Sequence, residues 1–332
     1  MFIWEVRDEL REFLEKGLEG LEHVKLVFPE DAEETTLLGI APYADILVGW
    51  RPSRELLDRA ERLKLFINPG AGVQHHIDTF REINETRHVT LVNGHGNSYF
   101  TAQHAVALLL SLTNKIIPHH KWMLEGHWRR GDDYARSMPL RKRNVGLLGY
   151  GAVNSKVHGF LSGFDVEFFI LKRSWTGNEA LPTPAAKYTQ SELKDFLHDI
   201  DTLIAVVPLT NETEGMLGLD ELKELGPEGL LVTLARGDVI DEKGLYTALK
   251  DGLIAGAAID VWYDYKPEPD KEGRLYPFHY PFNELDNVIL SPHRAASPFS
   301  DLERWNEVIE NIKRFADGRS DFLNIVDLER GY

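Results

Sequence analysis

Asn144-Val-Gly-Leu-Leu-Gly149-Tyr-Gly151-Ala-Val-Asn154 is the stretch on which the reading of this chain turns. Residues 144–148 are short and aliphatic, which predicts a strand, and residues 152–162 predict a helix. Two glycines stand at the turn. Gly149 permits a tight bend, and Gly151 lets the backbone come close to a pyrophosphate. The start of the following helix, at Ala152 and Val153, offers unpaired N–H groups and the positive end of a dipole. The third position of the G-x-G-x-x-G pattern is Asn154 rather than glycine. A turn needing glycine only for packing would carry the same letters, but the flanking strand and helix point to a dinucleotide site.

Outward from the turn, strands and helices alternate. Further strands are expected at 166–171, 202–207, 230–234, 255–260 and 288–290. Helices lie between most of them, including 241–251 with Asp241 as N-cap. Before the turn, strands are expected at 24–28, 46–48, 63–67 and 89–92, with helices at 5–18 and at 54–62 behind an N-cap at Ser53. A long helical segment covers 100–124, with a kink or break at Pro118. After the last strand come a helix over 299–316 and a tail at 323–326. This order predicts an α/β protein whose doubly wound parallel sheet, of Rossmann type, is inserted in a smaller α/β unit. The expected division is 1–97 with 299–332, and 98–298.

The end of the strand at 166–171 bears on NAD against NADP. An acidic residue there would hold the adenosine ribose hydroxyls. The chain has Lys172-Arg173-Ser174, two cations and a hydroxyl that suit a 2′-phosphate. NADP is therefore the expected cofactor, with NAD the alternative and solvated cations at a strand end the plainer explanation.

Composition narrows the classes. At 332 residues and 43% hydrophobic, two packed domains are within reach. A net charge of −16 without an acidic tail speaks against nucleic acid and anionic membrane as partners, though not against a small anion met by a local arginine. The absence of cysteine excludes disulfides, thiolate metal sites and cysteine nucleophiles, and fits a cytoplasmic protein. No metal site is expected. The opening MFIWEVRDELREFLEKG carries acids throughout and is unlike a signal peptide.

Several further segments resemble the D-2-hydroxyacid dehydrogenase family, which includes phosphoglycerate, glyoxylate/hydroxypyruvate, formate and phosphite dehydrogenases. The matching pieces are Gly70-Ala-Gly-Val73, Val207-Pro-Leu-Thr210 with Glu212-Thr213, Leu234-Ala-Arg-Gly237 with Val239-Ile-Asp241, Ala258-Ile-Asp-Val261 and Pro292-His293. The resemblance implies a flavodoxin-like substrate domain, a Rossmann domain, an active site in the cleft between them, and homodimers built around the first crossing helix. It implies hydride transfer between NAD(P)H and a small 2-oxo or 2-hydroxy acid. Arg236, at a strand end before a glycine, would bind the acid, since a planar guanidinium engages carboxylate and carbonyl oxygens together. His293 would be the general acid/base, because an imidazole titrates near neutrality and serves both directions.

The resemblance also implies that Ala71, Gly72 and Val73 present N–H groups to the substrate carboxylate, that Asp260 accepts from the nicotinamide amide, and that Val207, Pro208, Thr213, Leu234 and Ala235 line the cofactor. His95, on the loop Asn93-Gly-His-Gly-Asn97, is either a substrate contact or a surface histidine. The family pairs its histidine with a glutamate. Counted without gaps from Asp260, that position here is Tyr265. A three-residue insertion would bring Glu268 to it, and Asp264 is a third candidate. A lost or replaced glutamate implies a His293 whose pKa is not raised. Arg294 is a second departure. Two other readings are a formate- or phosphite-like dehydrogenase and a nucleotide-sensing protein of the corepressor kind.

Overall fold

A computed structural model describes residues 1–128, 136–177, 179–296 and 301–332. The chain forms two compact units, Met1–Asn97 with Pro298–Tyr332, and Ser98–Ser297.

The first unit runs α1 (Asp8–Gly17), α2 (Glu34–Ile40), β1 (Ile46–Val48), α3 (Arg54–Arg59), β2 (Leu65–Asn68), α4 (Ile77–Asn84) and β3 (Thr90–Asn93). Its strands form a parallel sheet in the order β1-β2-β3. Side chains alternate across a strand. Phe66 accordingly joins one apolar cluster with Leu57 and Phe80, while Leu65 and Ile67 join another with Leu14 and Ile309. Both faces of β2 are thus buried, as in sheets covered on two sides. Ser53 caps α3 as expected, its Oγ accepting from Leu56 N–H at 3.0 Å. The strand expected at 24–28 does not form: Val27 accepts a hydrogen bond from Phe2 N–H, but the segment joins no ladder.

The second unit runs α5 (Ser98–Thr113), α6 (Ile116–Leu124), β4 (Asn144–Leu148), α7 (Asn154–Leu161), β5 (Glu167–Leu171), β6 (Ala185–Tyr188), α8 (Leu193–Asp199), β7 (Thr202–Ala205), α9 (Leu219–Glu224), β8 (Leu230–Thr233), α10 (Glu242–Lys250), β9 (Gly256–Ile259) and β10 (Val288–Leu290). The seven strands are all parallel, in the order β10-β9-β8-β7-β4-β5-β6. Chain direction across the sheet reverses between β4 and β7, the switch point where such sheets bind ligands. The glycine turn follows β4. The central strands β7, β8 and β9 are buried at every residue.

The long segment at 100–124 is two helices. The break is at Lys115, which adopts a left-handed conformation with φ 53°. Pro118 is not the breaking point: it sits in the first turn of α6, where a missing N–H costs nothing. The edge strand β6 was not expected, since Ala185–Tyr188 is half exposed and has no aliphatic run. Asp241 caps α10, accepting from Gly244 N–H at 2.6 Å. The chain ends in the first unit with α11 (Asn306–Ala316), preceded by a 3-10 turn at Leu302–Trp305. The expected helix start at Phe299 lies outside the described residues. At 323–326, Ile325 forms an antiparallel bridge with Val92. Among the described residues no helix is long and apolar enough to cross a membrane.

Candidate functional site

In the second unit the turn after β4 is held by its own backbone. Gly149 N–H donates to Leu171 O at 2.8 Å, and Gly149 has φ 79°, where a side chain is strained. A Cβ there would stand 2.5 Å from Val206 O and 2.8 Å from Val207 Cγ1. Gly151 differs. A Cβ on it would meet nothing within 4 Å. Packing within the chain therefore does not require this glycine, whereas a group lying against the backbone would. Asn154 occupies the place of the third glycine and is fully buried. Its Nδ2 is shared among Gly149 O (2.6 Å), Leu148 O (3.2 Å) and Ile204 O (3.3 Å), tying the turn to two strands. Ala152 and Val153 lead into α7. These features fit a dinucleotide pyrophosphate.

Beside this turn, after β7, Thr213 Oγ1 donates to Pro208 O at 2.6 Å and accepts from Thr210 N–H at 2.9 Å, so the hydroxyl fixes the loop that begins at Val207. After β5, the expected phosphate-binding cations already have acidic neighbours. Lys172 Nζ lies 3.2 Å from Glu179 Oε1 and 4.9 Å from the centre of the Trp175 ring. Glu179 also accepts from Thr176 N–H, and these bonds hold its carboxyl down at about 2. Arg173 pairs with Glu212, and Ser174 is exposed.

Three adjacent strands deliver the next group. Arg236 follows β8, Asp260 follows β9 and His293 lies just beyond β10. Buried Leu234 and Ala235 lead into Arg236. Arg236 Nη1 donates to Ala235 O at 2.6 Å and makes no ion pair among the described residues. Burial pushes its pKa down, partly offset by Tyr265. Asp260 is 1% exposed. Its carboxylate accepts from the Ser291 hydroxyl, from Arg294 N–H at 2.8 Å and from Ala295 N–H at 3.0 Å. Burial opposes ionisation of Asp260, but the hydrogen bonds from His104, Ser291 and the turn outweigh it and hold the carboxyl below its usual range. Asp260 thereby clamps the turn carrying His293, a task the sequence did not reveal.

The clamp extends to α5, where His104 Nε2 lies 3.0 Å from Ser291 Oγ and 3.5 Å from Asp260 Oδ1. His104 escaped the sequence reading because nothing local marks it. Its position inside an apolar helix is informative only once β10 is placed beside α5.

His293 has φ 54°, and its Nδ1 lies 2.7 Å from Tyr265 Oη. Of the three residues that sequence left open as its partner, the fold brings Tyr265. Asp264 instead accepts from Lys266 N–H at 2.8 Å, and Glu268 makes no hydrogen bond or ion pair among the described residues. Burial pushes the His293 pKa down. Asp260 opposes this and Arg236 adds to it.

The profile of the family described as "D-isomer specific 2-hydroxyacid dehydrogenase, NAD binding domain" matches residues 106–295, more than half of the chain. The chain belongs to that family. It is 31% identical to a glyoxylate reductase of Thermococcus gammatolerans over 92% of this chain and 90% of that one. It is 30% identical to a glyoxylate reductase of Pyrococcus furiosus over 81% and 77%. Among solved structures, a D-isomer specific 2-hydroxyacid dehydrogenase of Xanthobacter autotrophicus, in complex with NADPH and MES, superposes with a TM-score of 0.79 at 25% identity, covering 100% of this chain and 98% of that one. The protein is thus an NAD(P)-dependent D-2-hydroxyacid dehydrogenase.

Within the first unit of this dehydrogenase, a loop follows β2. Asn68 Nδ2 donates to Gly70 O and Gly72 O, and Asn93 Nδ2 donates to Ala71 O at 2.9 Å. The carbonyls are tied back, while the N–H groups of Ala71, Gly72 and Val73 make no hydrogen bond among the described residues. Successive N–H groups of this kind, without a partner, can donate to an anion. Val73 itself is buried and anchors the loop. His95 donates its backbone N–H to Glu307 at 2.6 Å. Among the described residues no group of acidic and histidine side chains is placed to hold a metal ion.

Proposed function

We propose that this protein interconverts a small 2-oxo acid and its 2-hydroxy acid, with Arg236 holding the carboxylate and His293 exchanging the proton with the substrate oxygen. The observation that carries this is the delivery of Arg236, Asp260 and His293 from the C-terminal ends of adjacent parallel strands, β8, β9 and β10. The nicotinamide, when bound, supplies or accepts the hydride. Everything else falls to the chain. The guanidinium fork neutralises and orients the acid. In the first unit, the N–H groups of Ala71, Gly72 and Val73 offer donors to an anion. In reduction the His293 imidazolium gives its proton to the carbonyl oxygen, and in oxidation the neutral ring takes it from the hydroxyl. Asp260 keeps the histidine turn in place.

The cradle at Gly149, Gly151, Ala152 and Val153 binds the pyrophosphate, and Val207, Pro208, Thr213, Leu234 and Ala235 line the rest of the cofactor. NADP is the preferred form, with Arg173 and Ser174 taking the 2′-phosphate after Arg173 exchanges Glu212 for it. The names of the relatives, glyoxylate reductases, support a short substrate chain. The exposed Ile116, Ile117, Met123 and Leu124 on α6 support a second copy of the chain as partner.

The test is consumption of NADPH and of NADH with glyoxylate, hydroxypyruvate, pyruvate and phenylpyruvate. Turnover with NADPH and one of the shorter acids is expected. Tight NADP(H) binding with no turnover on any acid would instead make the chain a nucleotide sensor. Sedimentation at micromolar concentration checks the dimer.

A further inference from the structure

The loop after β9 places a phenol, not a carboxylate, against the histidine. Tyr265 Oη is 2.7 Å from His293 Nδ1, and the rings meet edge to face with centroids 5.4 Å apart at 62°. The hydroxyl also receives a long bond, 3.4 Å, from Trp262 N–H. The loop is not free to present another residue. Trp262 is buried, and its Nε1–H donates to Ser291 O at 2.8 Å. Tyr263 and Asp264 both donate their N–H to Pro277 O, at 3.2 and 3.0 Å.

The other ionisable groups around the ring are also accounted for. From β8 comes Arg236 and from β9 comes Asp260, the two charges that act on His293. Asp260 is engaged by Ser291, Arg294 N–H and Ala295 N–H. From α5, His104 reaches Ser291 and Asp260 rather than the ring. On its own turn, Arg294 follows, exposed. Asp264 is spent on Lys266 N–H.

We propose that Tyr265 is the positioning residue for His293: its neutral hydroxyl orients the imidazole through Nδ1, as a carboxylate would, without contributing negative charge. The inference rests on the reading that His293 exchanges the substrate proton. Which ring nitrogen carries a proton is set by the bond the other makes. With Tyr265 Oη accepting from Nδ1–H, Nε2 is left to face the substrate oxygen. Burial keeps the Tyr265 hydroxyl protonated by pushing its pKa up. An imidazolium at His293 therefore has no carboxylate bonded to its ring, and burial together with Arg236 outweighs the favourable charge of Asp260, so the neutral ring is the resting form near neutral pH. Reduction consumes one hydride and one proton, and the proton comes from the imidazolium. Oxidation returns both, the proton going to the neutral ring. A resting neutral ring is a ready base and a scarce acid. The chain is thus set to oxidise a 2-hydroxy acid near neutrality and to reduce a 2-oxo acid increasingly well as pH falls.

The test compares the wild type with Tyr265→Phe and Tyr265→Glu. The His293 ring proton is titrated by NMR, its resonance assigned by its loss in His293→Gln. The kcat/KM for glyoxylate reduction and glycolate oxidation is followed over a range of pH. Tyr265→Glu is expected to move the His293 titration up by about one unit and to raise glyoxylate reduction in mild alkali about tenfold. Tyr265→Phe is expected to leave the titration near the wild-type value while lowering kcat about tenfold, with KM for glyoxylate changed less than about twofold. A wild-type ring titrating above the free value, a titration unmoved in Tyr265→Glu, or a wild-type kcat in Tyr265→Phe would each overturn the proposal. If the titration shifts as expected but no acid is turned over, the pairing of Tyr265 with His293 stands and the hydride-transfer reading fails.

Discussion

The hydroxyl of Tyr265 lies 2.7 Å from Nδ1 of His293, on a turn clamped from behind by the carboxylate of Asp260. Two demands are met by different residues, since the clamp positions the backbone and the phenol positions the ring. The sign of the pH dependence follows. Burial, opposed by Asp260 and aided by Arg236, holds the His293 pKa below its ordinary value of 6.5. On the role proposed for His293, reduction needs the protonated ring, which is present below that lowered pKa and is lost as pH rises through it. The neutral ring needed for oxidation behaves in the opposite way. Glyoxylate reduction by the wild type should therefore fall with a midpoint below the free histidine value of about 6.5. His293→Gln should lower kcat/KM about a hundredfold to ten-thousandfold in both directions and remove that limb.

Arg236 is half buried and makes no ion pair among the described residues, which leaves its fork available to an acid. Arg236→Ala should cost about 2–3 kcal/mol in kcat/KM, the order of a lost charge-assisted hydrogen bond, while NADPH binding stays within about twofold. Arg236→Lys should recover only part of the loss, because a point charge cannot replace the planar fork. Steady-state kinetics and NADPH fluorescence separate the two effects.

The two cradle glycines should respond differently to substitution. Gly149→Ala forces a side chain onto φ 79° and 2.5 Å from Val206 O, so it should lower the melting temperature clearly. Gly151→Val meets no neighbouring atom within 4 Å at its Cβ and should melt within about 2 °C of the wild type. NADPH binding should nevertheless be lost in Gly151→Val. Retention of tight binding by that variant would remove the cradle from the argument.

Glu212 competes for Arg173. Glu212→Gln should remove that competing carboxylate and tighten NADPH about threefold to fivefold, within the roughly 1 kcal/mol that an exposed pair is worth. NADH binding should not change, and added salt should shrink the difference. Equal effects on both cofactors would show that Arg173 does not meet the 2′-phosphate.

Much of the molecule was legible beforehand because its signals are local. Short aliphatic runs gave strands β4, β5, β7, β8 and β9, of which β7, β8 and β9 are buried at every residue. Edge strand β6 carried no such run and was missed. The kink assigned to Pro118 was misplaced, because proline is harmless in a first turn and the chain breaks at left-handed Lys115 instead. The expected strand at 24–28 failed for want of a ladder, which only the neighbours of a segment can supply.

By itself the sequence determined the alternation of strands and helices, the glycine turn, and the residue types at Arg236, Asp260 and His293, since these depend on spacing along the chain. It left open which of Asp264, Tyr265 and Glu268 meets the histidine, because loop length and register decide that contact. Tertiary structure decided for Tyr265 by anchoring Trp262 to Ser291 and the loop backbone to Pro277. It also enlisted His104 from α5 and turned Asp260 into the clamp of the histidine turn. Such roles arise where residues distant in sequence share a few ångströms of space, and no pattern of letters encodes that distance.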